Sequence, residues 1–176
     1  QLELLRELVP SLSRVGILMR ADPAAAARRA QGKAMVLEFL RLTIEYVEVR
    51  EPEDLAQGLA AARALRTGAL LVGPDTLFSH EMDQILEFAR AARLPVMYPF
   101  RDFVDAGGLV SYSVSSKEVY RTLARYIDKI LKGAKPADLP VEEPREYELV
   151  INLKTAKALG IAIPQSILIR ADEVIR

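Results

Sequence analysis

The chain has 176 residues, enough for one well-packed α/β domain but short of two complete lobes of ordinary size. Its 24 Lys and Arg balance 24 Asp and Glu, so it lacks the basic excess that nucleic-acid binding draws on. Cysteine is absent, which excludes disulfides, thiolate chemistry and Cys-built zinc sites, and no apolar run approaches the roughly 20 residues of a membrane-spanning helix.

In chain order, Leu2, Leu5 and Leu8 fit a short helix that stops at Pro10. Arg14-Val15-Gly16-Ile17-Leu18-Met19 is a short apolar run of the kind expected for a parallel strand buried on both faces. Asp22-Pro23 supplies an N-cap and a first-turn proline, opening an Ala-rich helix that carries Met35, Val36, Phe39 and Leu40. Thr43-Ile44-Glu45-Tyr46-Val47-Glu48-Val49 alternates apolar and polar, the pattern of an edge strand with one wet face. Pro52 opens a helix with Leu55, Leu59, Ala62 and Leu65 on one stripe, and Ala69-Leu70-Leu71-Val72 is a third strand. Phe78, Met82, Ile85 and Leu86 mark the next helix face, and Pro95-Val96-Met97-Tyr98 a fourth strand. Gly107-Gly108 precedes a fifth strand, Leu109-Val110-Ser111-Tyr112-Ser113, and a helix with the stripe Val119, Leu123, Ile127 and Ile130 runs to Gly133.

Strands alternating with helices imply βαβ units and a parallel sheet. Five such strands predict a doubly wound, flavodoxin-like α/β lobe. The tail differs: Lys135-Pro136 and Pro140 read as a linker, Tyr147-Glu148-Leu149-Val150-Ile151-Asn152 as a further strand, and residues 154–159 as a short helix ended by Gly160. The last stretch, residues 167–175, reads as a terminal helix.

Several segments in order resemble one family. They include Glu3-Leu4-Leu5-Arg6-Glu7-Leu8-Val9-Pro10, Asp75-Thr76-Leu77-Phe78, Arg93-Leu94-Pro95-Val96-Met97-Tyr98 and Phe103-Val104-Asp105-Ala106-Gly107-Gly108-Leu109-Val110-Ser111-Tyr112, with residues 126–141, 149–160 and 170–175. The chain resembles the ABC-type transport-system substrate-binding proteins, relatives of a tryptophan-binding group with the type I periplasmic binding fold. The resemblance implies an extracytoplasmic protein, periplasmic or lipid-anchored, that binds a small polar solute between two lobes and works with an ABC transporter permease.

It also implies that residues 1–108 build the second lobe, and that 109–134 form a crossover strand and helix packing on a first lobe outside this sequence. Residues 135–176 would then return as a C-terminal segment. Gln1-Leu2-Glu3-Leu4-Leu5 has neither the basic start nor the cleavage site of an export signal, and no initiator Met opens the chain, so it is expected to begin inside a longer precursor. Without its first-lobe partner, the 119–130 stripe is expected to fold back or to exchange with a second copy as a swapped dimer. One departure from the family is Arg41-Leu42, where relatives usually carry a glycine.

In an open parallel sheet, ligands bind outside the C-terminal strand ends. That rule selects Arg20 and Asp22 after the first strand, Asp75 and Thr76 after the third, Tyr98 and Phe100 around the fourth, and the segment around Tyr112 at the crossover. Tyr98, Phe100 and Tyr112 offer faces for a flat solute such as an aromatic amino acid. Asp75 and Thr76 suit an ammonium or ring N–H, and Arg20 a carboxylate. Each has a plainer role beside it. Asp22 and Asp75 are good N-caps, Arg20 can be simply solvated, and Tyr98 and Phe100 flank Pro99 where packing also explains them.

The lone His80 has no second His or Cys to build a metal set, and no phosphate-binding glycine loop occurs, so neither metal nor cofactor is expected. Ser111 and Ser113 lack a nucleophile-elbow context, and enzymatic activity is not expected. The alternative reading is a flavodoxin-like receiver domain with Asp75 as phosphoacceptor. Such a site needs an acidic pair, a hydroxyl after the fourth strand and a Lys after the fifth. Here those places hold Arg20 and Asp22, then Tyr98-Pro99, then Ser113-Val114.

Overall fold

Val15, Leu18, Leu70, Val96 and Met97 are all but inaccessible, as strands covered by helices on both faces require. The computed structural model describes residues 1–144 and 146–176. Five strands lie parallel: β1 (Arg14–Arg20), β2 (Thr43–Val49), β3 (Ala69–Val72), β4 (Val96–Tyr98) and β5 (Val110–Val114). They follow the doubly wound order 2-1-3-4-5, with β2 at the edge as its alternation predicts.

The sheet then continues beyond the five expected strands. β6 (Tyr147–Asn152) pairs antiparallel with β5, and β7 (Glu173–Ile175) lies parallel to β6, so the sheet is mixed and seven-stranded. The terminal stretch is therefore a helix α9 (Gln165–Arg170) followed by a strand, not one helix to 175. Asp172 explains the break. Its backbone N–H donates to Leu149 O at 2.9 Å and its carboxylate accepts from Leu149 N at 2.8 Å, which draws the chain onto β6.

Helices cover both faces. On one, α3 (Leu55–Ala64), α4 (Thr76–His80), α5 (Met82–Ala92) and α6 (Arg101–Asp105) pack Leu55, Leu59, Phe78, Ile85 and Phe103 against Leu18, Val47, Val72 and Val96. On the other, α1 (Leu2–Leu8), α8 (Leu153–Leu159) and α9 bring Leu5, Leu8, Ala156 and Ile167 onto Val15, Met97, Val110 and Ile151. The expected helix over Phe78–Leu86 is two helices, because Glu81 takes φ −94° and ψ 23° and breaks the run.

Local chemistry fixes the ends. The Asp22 carboxylate accepts from Ala24 N at 3.0 Å, capping the turn Pro23–Ala25 that leads into α2 (Ala26–Leu40). Arg41 closes α2 with φ 54° and ψ 33°, a left-handed turn that glycine adopts freely and that is held here by an arginine. Gly133 follows α7 (Ser116–Leu131) with φ 98°, and Ala134 N donates to Lys129 O, the C′ role expected of it.

Two helices leave apolar surface in water. α2 buries none of its residues fully and exposes Met35, Leu37 and Phe39. α7 buries none either, and Val119, Leu123, Ile127 and Ile130 all stand exposed along one stripe.

Candidate functional site

The parallel strands end at one side of the sheet, where Arg20, Gly73-Pro74-Asp75, Pro99-Phe100 and Val114 turn into loops or helices. A cleft of about 700 Å³ opens there, between the ends of β4, β5 and β6 and the first two turns of α7. Its sheet wall carries Phe100, Tyr112, Ser113 and Tyr147, and its α7 wall Val119, Tyr120 and Leu123. No helix of the described residues is long and apolar enough to cross a membrane.

Tyr112 and Tyr147 set the floor. β5 and β6 pair Val114 with Tyr147 and Tyr112 with Leu149, which puts the two tyrosines in diagonal register on one face. Their rings stack at 5.5 Å between centroids with 24° between planes. Gln1 Nε2 donates to Tyr112 O at 2.8 Å and closes one rim. Phe100 begins α6 as its N-cap residue in extended conformation, and its ring remains 41% exposed at the cleft. These aromatic faces present area at little entropic cost, since each ring has two side-chain torsions to fix.

The sequence-selected residues divide into three groups. Phe100 and Tyr112 come together in the cleft. Arg20, Asp75 and Thr76 stand at the same end of the sheet but outside its lining. Asp75 caps α4, its carboxylate accepting from Leu77 N at 2.9 Å, with Thr76 exposed at the helix start. Arg20 is exposed and pairs with no carboxylate among the described residues.

Tyr98 belongs to the core. Its ring is 1% exposed and stacks on Phe103 at 5.0 Å and 18°. A Cβ on Gly108 would lie 2.6 Å from Tyr98 Cε2, so glycine is needed there for the ring to fit. Burial pushes the Tyr98 phenol far above its ordinary range. Tyr98 stands at the strand end the rule selects, but Val96 and Tyr98 face the helices α3 to α6 and not the cleft.

The residues missed from sequence are Tyr147, Val119 and Tyr120. Tyr147 reaches the cleft through the antiparallel β5–β6 pairing, across the residues 115–146 that separate the two strands, which no local pattern displays. His80 lies at the end of α4, and no group of three His, Asp or Glu side chains is placed to hold a metal ion among the described residues.

Residues 1–175 match the profile of the family described as ABC transporter substrate binding protein. The chain belongs to that family. Its fold is similar to that of an ABC domain from Streptococcus pneumoniae solved in complex with L-Trp, at 27% identity and a TM-score of 0.87, covering 99% of this chain and 59% of that one. A conserved domain protein from Vibrio cholerae shares the fold at 22% identity and a TM-score of 0.86, covering 98% of this chain and 58% of that one. The ligand-free, open structure of a substrate-binding protein with adhesive properties from Clostridium difficile is similar at 19% identity and a TM-score of 0.70, covering 99% and 58%. The chain thus spans under two thirds of the length of each solved relative. No curated protein matches it. The family match, with Asp75 engaged as a helix cap, leaves the receiver-domain alternative without support.

Proposed function

We propose that this family member recognises a small solute for an ABC-type importer, and that the solute is an aromatic amino acid or a similarly flat, polar compound. The observation that carries this reading is the cleft at the C-terminal strand ends, walled by Phe100 and the stacked Tyr112–Tyr147 pair. The solute's ring lies against these faces, and Arg20, exposed and without a carboxylate partner among the described residues, meets its carboxylate. Asp75 and Thr76 are assigned to its ammonium. Asp75 has one carboxylate oxygen engaged in the helix cap, which leaves the other to accept from the ammonium.

Recognition rather than catalysis is the reading that the family match supports. The protein would act outside the cytoplasmic membrane, delivering its solute to the permease. The opposite wall of the site comes from the two fifths of the relatives' length that this chain does not span. The α7 stripe of Val119, Leu123, Ile127 and Ile130 is the surface that portion covers, and in its absence a second copy covers it.

Calorimetric titration with L-tryptophan tests the reading. A half-walled site predicts weak binding, in the range of about 0.1–10 mM. Phe100→Ala and Tyr112→Ala should each weaken it about fivefold to tenfold. Submicromolar affinity of this chain alone would contradict the half-site account, and binding unchanged by both substitutions would contradict the cleft.

A further inference from the structure

At the other end of the sheet from the cleft, a crevice of about 320 Å³ separates α5, the end of α6 and α8. Leu94 and Leu109, which precede β4 and β5, line it together with Lys154, which follows the antiparallel β6. Leu86, Ala89 and Leu159 make its walls apolar. Tyr98 forms part of the floor.

Tyr98 is anomalous as a core residue. Its ring is held between Phe103 and the Gly108 backbone, yet its hydroxyl has no hydrogen-bond partner among the described residues. Among the described residues the fully buried polar atoms without a partner are Arg29 Nη1 and Ser111 Oγ, so the Tyr98 hydroxyl is not sealed off but keeps contact with the crevice it lines. It is a polar point on a largely apolar floor, and a ligand oxygen entering the crevice can take the place of water there. A second group is also unmet. Lys154 stands exposed at the rim with no carboxylate paired to it among the described residues, whereas the neighbouring Arg90 is engaged by Glu87.

We propose that this crevice is a second small-molecule site, separate from the cleft, for an organic carboxylate with an apolar body and an oxygen at its far end. The body lies against Leu86, Leu94 and Leu159, the far oxygen accepts from the Tyr98 hydroxyl, and the carboxylate meets Lys154 at the rim. Aryl carboxylates with a para oxygen have this layout. Their apolar surface matches the walls, and their two polar ends match the two unmet groups.

The test uses 3-(4-hydroxyphenyl)propanoate and its analogue without the hydroxyl, 3-phenylpropanoate, with binding followed by saturation-transfer NMR and calorimetry. The hydroxylated probe should bind about tenfold more tightly. Tyr98→Phe, which keeps the ring, should abolish that preference. Lys154→Gln should weaken both probes about threefold to fivefold, and Ala158→Phe, at an exposed position on the wall, should remove binding of both. In every variant, binding at the crevice is read from amide shifts at Leu94, Leu109 and Lys154, which separates it from any binding of the probes in the cleft. No binding of either probe would overturn the proposal. Binding that persists in Ala158→Phe, or a hydroxyl preference that persists in Tyr98→Phe, would overturn it equally.

Discussion

Arg41, Arg66 and Arg93 adopt positive φ values of 54°, 52° and 49°, a region that costs a residue with a Cβ about 1–2 kcal/mol. Arg41 stands where the resemblance leads one to expect glycine, so the turn is maintained by its surroundings. Arg41→Gly relieves that strain and gives back part of the gain through the freer unfolded chain. The expected result is a net stabilisation of about 0.5 kcal/mol in denaturant unfolding, and a loss would show that the Arg41 side chain contributes contacts of its own. Tyr98 supplies a pH prediction. Its phenol is raised by burial above the ordinary value of 10.0, so the folded state holds a proton that the unfolded state releases first. Stability is therefore complete below about pH 10 and falls as pH rises toward the folded value, by up to about 1.4 kcal/mol per unit. In alkaline unfolding experiments Tyr98→Phe should flatten this decline, and an unchanged slope would mean the phenol already reaches solvent.

At the scale of elements, most of the chain was legible because its signals are local. The buried runs of β1 and β3, the alternation of edge strand β2, the Asp22-Pro23 cap and the Gly133 stop all act within a few residues. The parts that escaped are made by distant pairings. β7 is three residues long and exists only through its register with Val150, Ile151 and Asn152, and the Tyr112–Tyr147 floor depends on the same tail returning to β5. The cleft was half legible for the same reason: the strand-end rule reaches Phe100 and Tyr112, which line it, while Tyr98 turns into the core and Tyr147 arrives by the returning tail. Arg101 fastens this returning segment, linking Asp105 at 3.0 Å, Glu148 at 3.2 Å and Glu173 at 2.8 Å. These partners lie on α6, β6 and β7, so Arg101→Ala should free β7 first. Hydrogen exchange at 173–175 should then speed up at least tenfold with β1 and β3 unchanged, and uniform acceleration across the sheet would refute a local clasp.

At the scale of the molecule, α7 decides how the chain behaves on its own. Leu123 and Ile127 are 50% and 56% exposed, so they contribute little to this lobe's core. Replacing both with glutamate should change the unfolding free energy by less than about 1 kcal/mol. The same change should suppress self-association in sedimentation at high concentration. A larger loss of stability would place the stripe against the lobe itself.

If solute meets this chain at the C-terminal strand ends, amide chemical-shift mapping during titration with L-tryptophan will show it. Shifts should concentrate at Phe100, Tyr112, Ser113 and Tyr147, with the first turns of α7 following. Shifts absent from these residues, or clustered at Leu94, Leu109 and Lys154 instead, would contradict it.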